Sequence, residues 1–286
     1  MRRSFRGWLG LAVLVLAVAG IAPAKNPPPP NSQTVSDAAL HRLAELAARH
    51  PLLVIGEIHG TTEAPAVVQQ LAARLSARQP LLVALEWPET EQERVDHFLA
   101  SAGDADAVQQ LTRSWFWQES TRDGRTSQAM LALLDDLRRR AQQGAKVRVV
   151  CFDWNWQAQP EGDRDAALAE RLRKAFADRG KATMLVLTGN YHARMSRGAP
   201  WNPEQEFAAY HLRDLSPYNV DIRARSGSAW VCLAGEPCGA RALGGTPDAP
   251  LGLTESAELD ADGYRARLTL PVFTASAPAV PAPGAP

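Results

Sequence analysis

The sequence predicts an α/β fold: a mostly parallel sheet flanked by helices, with additional strands towards the C-terminus. Two observations carry this. Four nearly continuous apolar runs, at 52–57, 81–86, 147–153 and 183–188, are separated by stretches of helical periodicity. Strands that are apolar along their whole length belong in a sheet covered on both faces, the usual setting of parallel strands. After His192 the texture changes to short strand-like segments at 219–225, 228–233 and 264–273, divided by turn residues. These either extend the sheet or form a lobe beside it.

The chain begins with a basic stretch, Arg2, Arg3 and Arg6, then an apolar run from Trp8 to Ala19, then Ala22-Pro23-Ala24. This pattern reads as a signal peptide over 1–24, with cleavage after Ala24. The apolar run is short for a membrane span, which needs about 20 residues. Cleavage leaves 286 − 24 = 262 residues. Of 31 basic and 31 acidic residues, three arginines leave with the leader, so 28 face 31 and the net charge is −3. That balance offers no footprint for nucleic acid and predicts no such partner. After leader cleavage no stable membrane insertion is expected.

Residues 25–35 read as a Pro-rich spacer, 36–273 as a single α/β domain with its core at 50–195, and 274–286 as a disordered Ala/Pro tail. Ser36 is placed to cap a helix to His50, with Leu40, Leu43, Leu46 and Ala47 at helical spacing. Thr61 or Thr62 is placed to cap a helix from Glu63 to Ala77, with Pro65 tolerated in its first turn. Helices follow at 89–100, 105–111, 127–142 and 163–177. Arg138, Arg139 and Arg140 read as a solvated helix end, and His41, His50 and His97 as structural. Cys232 and Cys238 are a natural disulfide pair in an oxidising compartment, worth ~2.4 kcal/mol for so small a loop. Cys151 reads as a buried thiol.

The chemistry concentrates at the strand ends. Gly-x-x-His occurs twice after an apolar run, as Gly56-Glu57-Ile58-His59 and as Gly189-Asn190-Tyr191-His192. Open α/β sheets build their sites at the carboxyl ends of strands. The runs end at Glu57 and His59, at Glu86, at Asp153 and at His192, although buried strands rarely carry charge. Two mechanisms fit. In one, His59 is a general base held by Glu57 or Glu86, with Arg122 or the N–H groups opening the next helix stabilising an oxyanion. In the other, Glu57, His59 and His192 hold a divalent metal, although no metal-binding signature is present. Trp87, Trp115, Trp117, Trp154 and Trp156 are core or loop residues, several of them set to wall an apolar pocket.

At these residues the sequence resembles a superfamily joining erythromycin-esterase-like proteins, the TraB/TIKI proteins and ChaN-like haem-binding lipoproteins. The matching elements are Gly56-Glu57-Ile58-His59-Gly60-Thr61, Leu85-Glu86, Arg164-Asp165 opening a helix, and Gly189-Asn190-Tyr191-His192, within roughly 50–195. The esterase branch implies ester or lactone hydrolysis with a histidine base at His59. The TIKI branch implies a metal-dependent protease, and the ChaN branch haem binding. The chain departs from ChaN in having no lipoprotein cysteine and from TIKI proteins in having no C-terminal membrane helix. The expectation is a secreted or periplasmic hydrolase using Glu57, His59, Glu86 and His192, with Arg122 in support, on a small-molecule or peptide substrate. The alternative is a non-catalytic haem or small-ligand binder using the tryptophans and Tyr191 or Tyr210.

Overall fold

The computed structural model describes residues 35–118, 123–158, 161–233 and 236–281. The expected signal peptide, nearly all of the spacer and Arg122 lie outside the described residues. Every described residue belongs to one compact unit.

Seven strands form the main sheet: β1 (Leu52–Glu57), β2 (Leu81–Pro88), β3 (Val147–Asp153), β4 (Thr183–Gly189), β5 (Tyr218–Ala224), β8 (Gly252–Glu255) and β9 (Ala266–Leu270). Their order is β3-β2-β4-β1-β5-β9-β8. All neighbours are parallel except β8, which runs antiparallel to β9 at one edge. The late segments thus have two fates. Those at 219–225 and 264–273 extend the sheet, while β6 (Ser228–Val231) pairs with β7 (Gly239–Ala242) in a separate hairpin. The Cys232–Cys238 disulfide closes that hairpin.

Alternation along the strands divides the core. Leu53, Ile55, Val83, Leu85, Leu185 and Leu187 pack on the layer of α1 (Asp37–Arg49), α2 (Glu63–Ser76), α3 (Gln92–Ala100) and α6 (Gln128–Gln142). Leu52, Val54, Leu82, Ala84, Met184 and Val186 pack on α7 (Arg164–Ala177) and α8 (Ala208–His211). Each such side chain contributes about 1.5–3 kcal/mol when fully buried. Two short helices, α4 (Ala105–Thr112) and α5 (Trp115–Gln118), complete the first layer. Among the described residues no helix is long and apolar enough to cross a membrane.

The caps follow the sequence in part. The Ser36 side chain accepts from Ala39 N, and Asp163 accepts from Asp165 N and Ala166 N at the start of α7. Thr62 makes no such bond, and Thr61 Oγ1 turns back to Ile58 O at 3.0 Å. Of the three arginines expected in solvent, Arg138 is buried, bonded to Asp135 and Ser101 O, with its guanidinium over Phe98. The reason is that α3 and α6 pack together and enclose its stem.

The tail expected to be disordered is tied down as far as Ala279. Thr62 N donates to Thr274 O (2.8 Å), Ser276 N to Gly60 O (2.8 Å), Gln128 N to Ala277 O (2.8 Å) and Ala279 N to Thr126 O (2.9 Å). Ser276 Oγ accepts from Ala129 N at 3.0 Å. The segment satisfies donors at the openings of α2 and α6, which have no partners within their own helices. Backbone groups do this whatever the side chains, so an Ala/Pro composition conceals it. Removing residues 275–286 deletes the four hydrogen bonds made by Ser276, Ala277 and Ala279 and is expected to cost about 4 kcal/mol at roughly 1 kcal/mol per hydrogen bond. For a domain of this size that lowers Tm by roughly 10 °C. A truncated protein melting with the full chain would mean the tail is not docked.

Candidate active site

The strand order builds the site. The crossover from β1 to β2 skips one position, and β4 fills it. The ends of β1, β4 and β2 therefore lie side by side, bringing Glu57, Gly189 and Glu86 together although they are far apart in sequence. His59 lies two residues past Glu57, in the turn that follows β1, and its Nδ1 is 2.9 Å from Glu57 Oε1. Gly60 then turns with φ +76°, where a Cβ would stand 2.1 Å from Trp230 O of the hairpin.

Glu86 is the centre. Its side chain is 3% exposed. Oε2 accepts from Thr188 Oγ1 at 2.6 Å and Gly189 N at 2.7 Å, and Oε1 accepts from Arg164 Nη2 at 2.6 Å. His59 Nε2 lies 3.7 Å from Oε2, and His192 Nε2 lies 3.8 Å from Oε1. The two Gly-x-x-His motifs thus meet over one carboxylate. Gly189 is the floor: a Cβ there would sit 3.1 Å from His59 Nε2 and 3.5 Å from both Glu86 Oε2 and His192 Cδ2.

A second layer orients these groups. Arg164, the first residue of α7, donates from Nε to Asp153 Oδ1 (3.0 Å) and from Nη2 to Asp153 Oδ2 (2.8 Å). Arg125 Nη1 reaches the same Asp153 Oδ2 at 2.8 Å and lies 3.7 Å from Glu86 Oε1. Its backbone carbonyl is held by Trp87 Nε1 at 2.9 Å. Trp156 Nε1 also donates to Asp153, and its ring lies beneath the Arg164 guanidinium. Asp165 Oδ1 is 2.6 Å from His192 Nδ1 and accepts from Ala208 N at 2.8 Å. Strand-end reasoning singled out neither Arg125 nor Arg164 and Asp165 as site groups. The last two carried a signal, since Arg164-Asp165 is one of the motifs of the resemblance. The helix-opening N–H groups expected to form an anion hole at α2 are partly spent, because Thr62 N bonds Thr274 O.

The electrostatics distinguish the histidines. Burial alone would lower the His59 pKa. The charge of Glu86 and the Glu57 hydrogen bond outweigh it and raise the value to about 10. His59 is therefore an imidazolium at neutral pH. At His192, Arg164 Nη1 lies 2.7 Å from Nε2. A guanidinium only donates, so this nitrogen is the acceptor and Nδ1–H points to Asp165. Burial opposes ionisation of Glu86, but the charge of the His59 imidazolium and of the Arg164 guanidinium holds its pKa well below the usual carboxylate range.

The expected metal set of Glu57, His59 and His192 does not fit a metal. Glu57 is bonded to His59 Nδ1, and His192 Nε2 faces a guanidinium N–H. Among the described residues no group of three or more His, Cys, Asp or Glu is arranged to hold an ion. Haem ligation meets the same obstacle at His192, where both ring nitrogens are engaged.

No family model matches the sequence, and no curated protein matches it at a significant level. Solved structures do match. A mutant erythromycin esterase, EreC, in its open conformation superposes with a TM-score of 0.62 at 11% identity, over 85% of this chain and 96% of that chain. The chain has the fold of an erythromycin esterase. A succinoglycan biosynthesis protein gives 0.63 at 9% identity, over 83% of this chain and 92% of that chain. A Bacillus cereus protein gives 0.61 at 11% identity, over 87% and 96%. At these identities the likeness is one of fold, and it includes an erythromycin esterase, one of the groups that the strand-end motifs resemble. ChaN of Campylobacter jejuni reaches a TM-score of only 0.38, and nothing about ligands is carried over from it.

The pairing of His59 has a measurable sign. Its folded pKa, about 10, lies above the unfolded value of about 6.5. The stabilisation is therefore complete below about pH 6.5 and is lost as pH rises through 10. The Tm gap between wild type and His59→Gln is expected to shrink steadily over that window. A gap that stays constant from pH 6 to about 10 would contradict the imidazolium.

Proposed function

We propose that this protein is an extracytoplasmic hydrolase of ester bonds, working through His192 as base and His59 as acid on either side of Glu86. The observation that carries this is the pairing of an acceptor nitrogen backed by a carboxylate (His192 Nε2, with Asp165 behind Nδ1) and an imidazolium over the same residue. The sequence alone pointed to His59 as the base. Its two flanking carboxylates favour the acid role instead.

A small shift of Arg164 Nη1 away from His192 Nε2, with Nε and Nη2 still held by Asp153 and Glu86, frees the lone pair. His192 takes a proton from water as the oxygen attacks the acyl carbon. His59 Nε2–H is too far from Glu86 for a hydrogen bond, at 3.7 Å. It donates to the carbonyl oxygen as negative charge develops there. Collapse breaks the bond to the alkoxy oxygen, which leaves as the alcohol with the proton that His192 took from water. One water is consumed, and an acid and an alcohol form. Glu86, with both oxygens bonded and its pKa lowered, serves as the fixed counter-charge and not as a base. General acid–base groups contribute about 10²–10⁴-fold each, and a lost oxyanion donor costs about 10²–10³-fold.

The exposed rings of Trp156 and of Trp201, the latter packed on Tyr191 beside His192, suit an ester with an apolar or ring-bearing group. The Cys232–Cys238 disulfide supports an oxidising compartment. No metal or haem enters the reaction, because the donor set converges on neither.

A panel of p-nitrophenyl and lactone substrates tests the reading. His59→Ala and His192→Ala are each expected to lower kcat/KM at least about 10²-fold. Asp165→Asn should lower kcat with little change in KM, by releasing the His192 tautomer. Wild-type activity should fall as pH rises through about 10, where His59 loses its proton. Activity that climbs across that range would make His59 the base. A Soret shift with haemin, together with no turnover on any ester, would replace the hydrolase with a ligand-binding protein.

A further inference from the structure

At the opposite end of the sheet, where β1 and β5 begin, lies a cavity of about 580 Å³ walled by Arg42, Arg49, Arg213, Arg265, His50 and Tyr218. Six residues of β1 separate it from the crevice, roughly 20 Å of strand. One carboxylate, Glu255, shares the wall, and it is already engaged. Its oxygens accept from Arg42 Nε at 2.6 Å, Arg42 Nη2 at 3.0 Å and Tyr218 Oη at 3.3 Å.

Among the described residues the other three guanidiniums hydrogen-bond to backbone carbonyls alone: Arg49 Nε to Glu45 O at 3.4 Å, Arg213 Nε to Tyr210 O at 2.8 Å and Arg265 Nη1 to Ala257 O at 3.4 Å, with the Arg213 guanidinium also lying over the Tyr210 ring. Each guanidinium carries five N–H donors, so most donors around this cavity have no acceptor among the described residues. This contrasts with Arg171, Arg173, Arg223 and Arg267, each paired with a carboxylate. The same cavity has an apolar side made by Leu46, Met195 and Leu259.

We propose that this cavity binds a small amphipathic anion, a phosphate-ester-like dianion bearing a compact apolar group. Arg49, Arg213 and Arg265 hold the head, and Leu46, Met195 and Leu259 cover the body. Guanidinium pairs with such oxyanions are charge-assisted and often bidentate. His50, packed against Tyr218 with ring centroids 5.0 Å apart and the ring planes tilted by 42°, is the built-in reporter. Burial first, then the charges of Arg49 and Arg265, lower its pKa, so a bound anion raises it.

The test follows the His50 imidazole by NMR in the full chain as phenyl phosphate is added. The His50 midpoint should rise saturably, with affinity in the millimolar range or better, while phenol leaves it unmoved. The double variant Arg213→Gln/Arg265→Gln should keep the wild-type Tm and bind at least about tenfold more weakly. Inorganic phosphate should bind more weakly than phenyl phosphate if the apolar side contributes. Co-sedimentation with phosphatidylcholine vesicles carrying phosphatidic acid, lost in the same variant, would assign the head to a lipid. Phenyl phosphate binding without vesicle binding would assign it to a soluble ester. No His50 shift with either probe, or equal affinity in wild type and variant, overturns the proposal.

Discussion

The burial of the Glu86 carboxylate is the constraint on which the rest of the site depends. A charge taken out of water costs several kcal/mol unless it is paired and hydrogen-bonded. At Glu86 the compensation comes from Thr188, Gly189 N and Arg164, with two imidazoles just beyond. These partners come from β4, from the start of α7, and from the loops after β1 and β4. Glu86 is therefore accommodated only once the parallel sheet has formed with β4 between β1 and β2. The site and the topology imply one another.

Around this charge, signs alternate outwards. Arg164 and Arg125 face Glu86, Asp153 holds both, and Asp123 binds Arg125 from the far side. Such a chain leaves few side-chain freedoms, which suits a site that must hold polar groups ready before substrate arrives. It also gives two chemically identical side chains different states. His59 lies between two carboxylates and keeps its proton, while His192 faces a guanidinium and presents a lone pair. The difference arises chiefly from neighbours contributed by other elements, Glu86 and Arg164, while Glu57 is the one such neighbour that a Gly-x-x-His motif itself carries.

The rim is built by backbone. The β6–β7 hairpin leans on Gly60, and the C-terminal strand of chain, through Ala279, fastens the openings of α2 and α6. These contacts come from the part of the chain whose sequence carries the weakest periodicity. They brace the turn that carries His59, so a composition that looks expendable supports the geometry of the candidate site.

Much of this was legible in one dimension. The four apolar runs specify β1 to β4, because a strand buried on both faces must be apolar throughout. The charged residues ending those runs specify Glu57, His59, Glu86 and His192, because charge at the end of a buried strand is costly without a use. Which strands are neighbours is not written in any local pattern, since every parallel strand reads alike. Only the tertiary structure decided that β4 separates β1 from β2, that Arg125, Arg164 and Asp165 join the site, and that Glu57 and His192, two of the three expected metal ligands, are engaged by other partners. Hydrogen-bond partners and pKa values depend on distances between elements far apart in the chain. Sequence spacing carries no record of those distances.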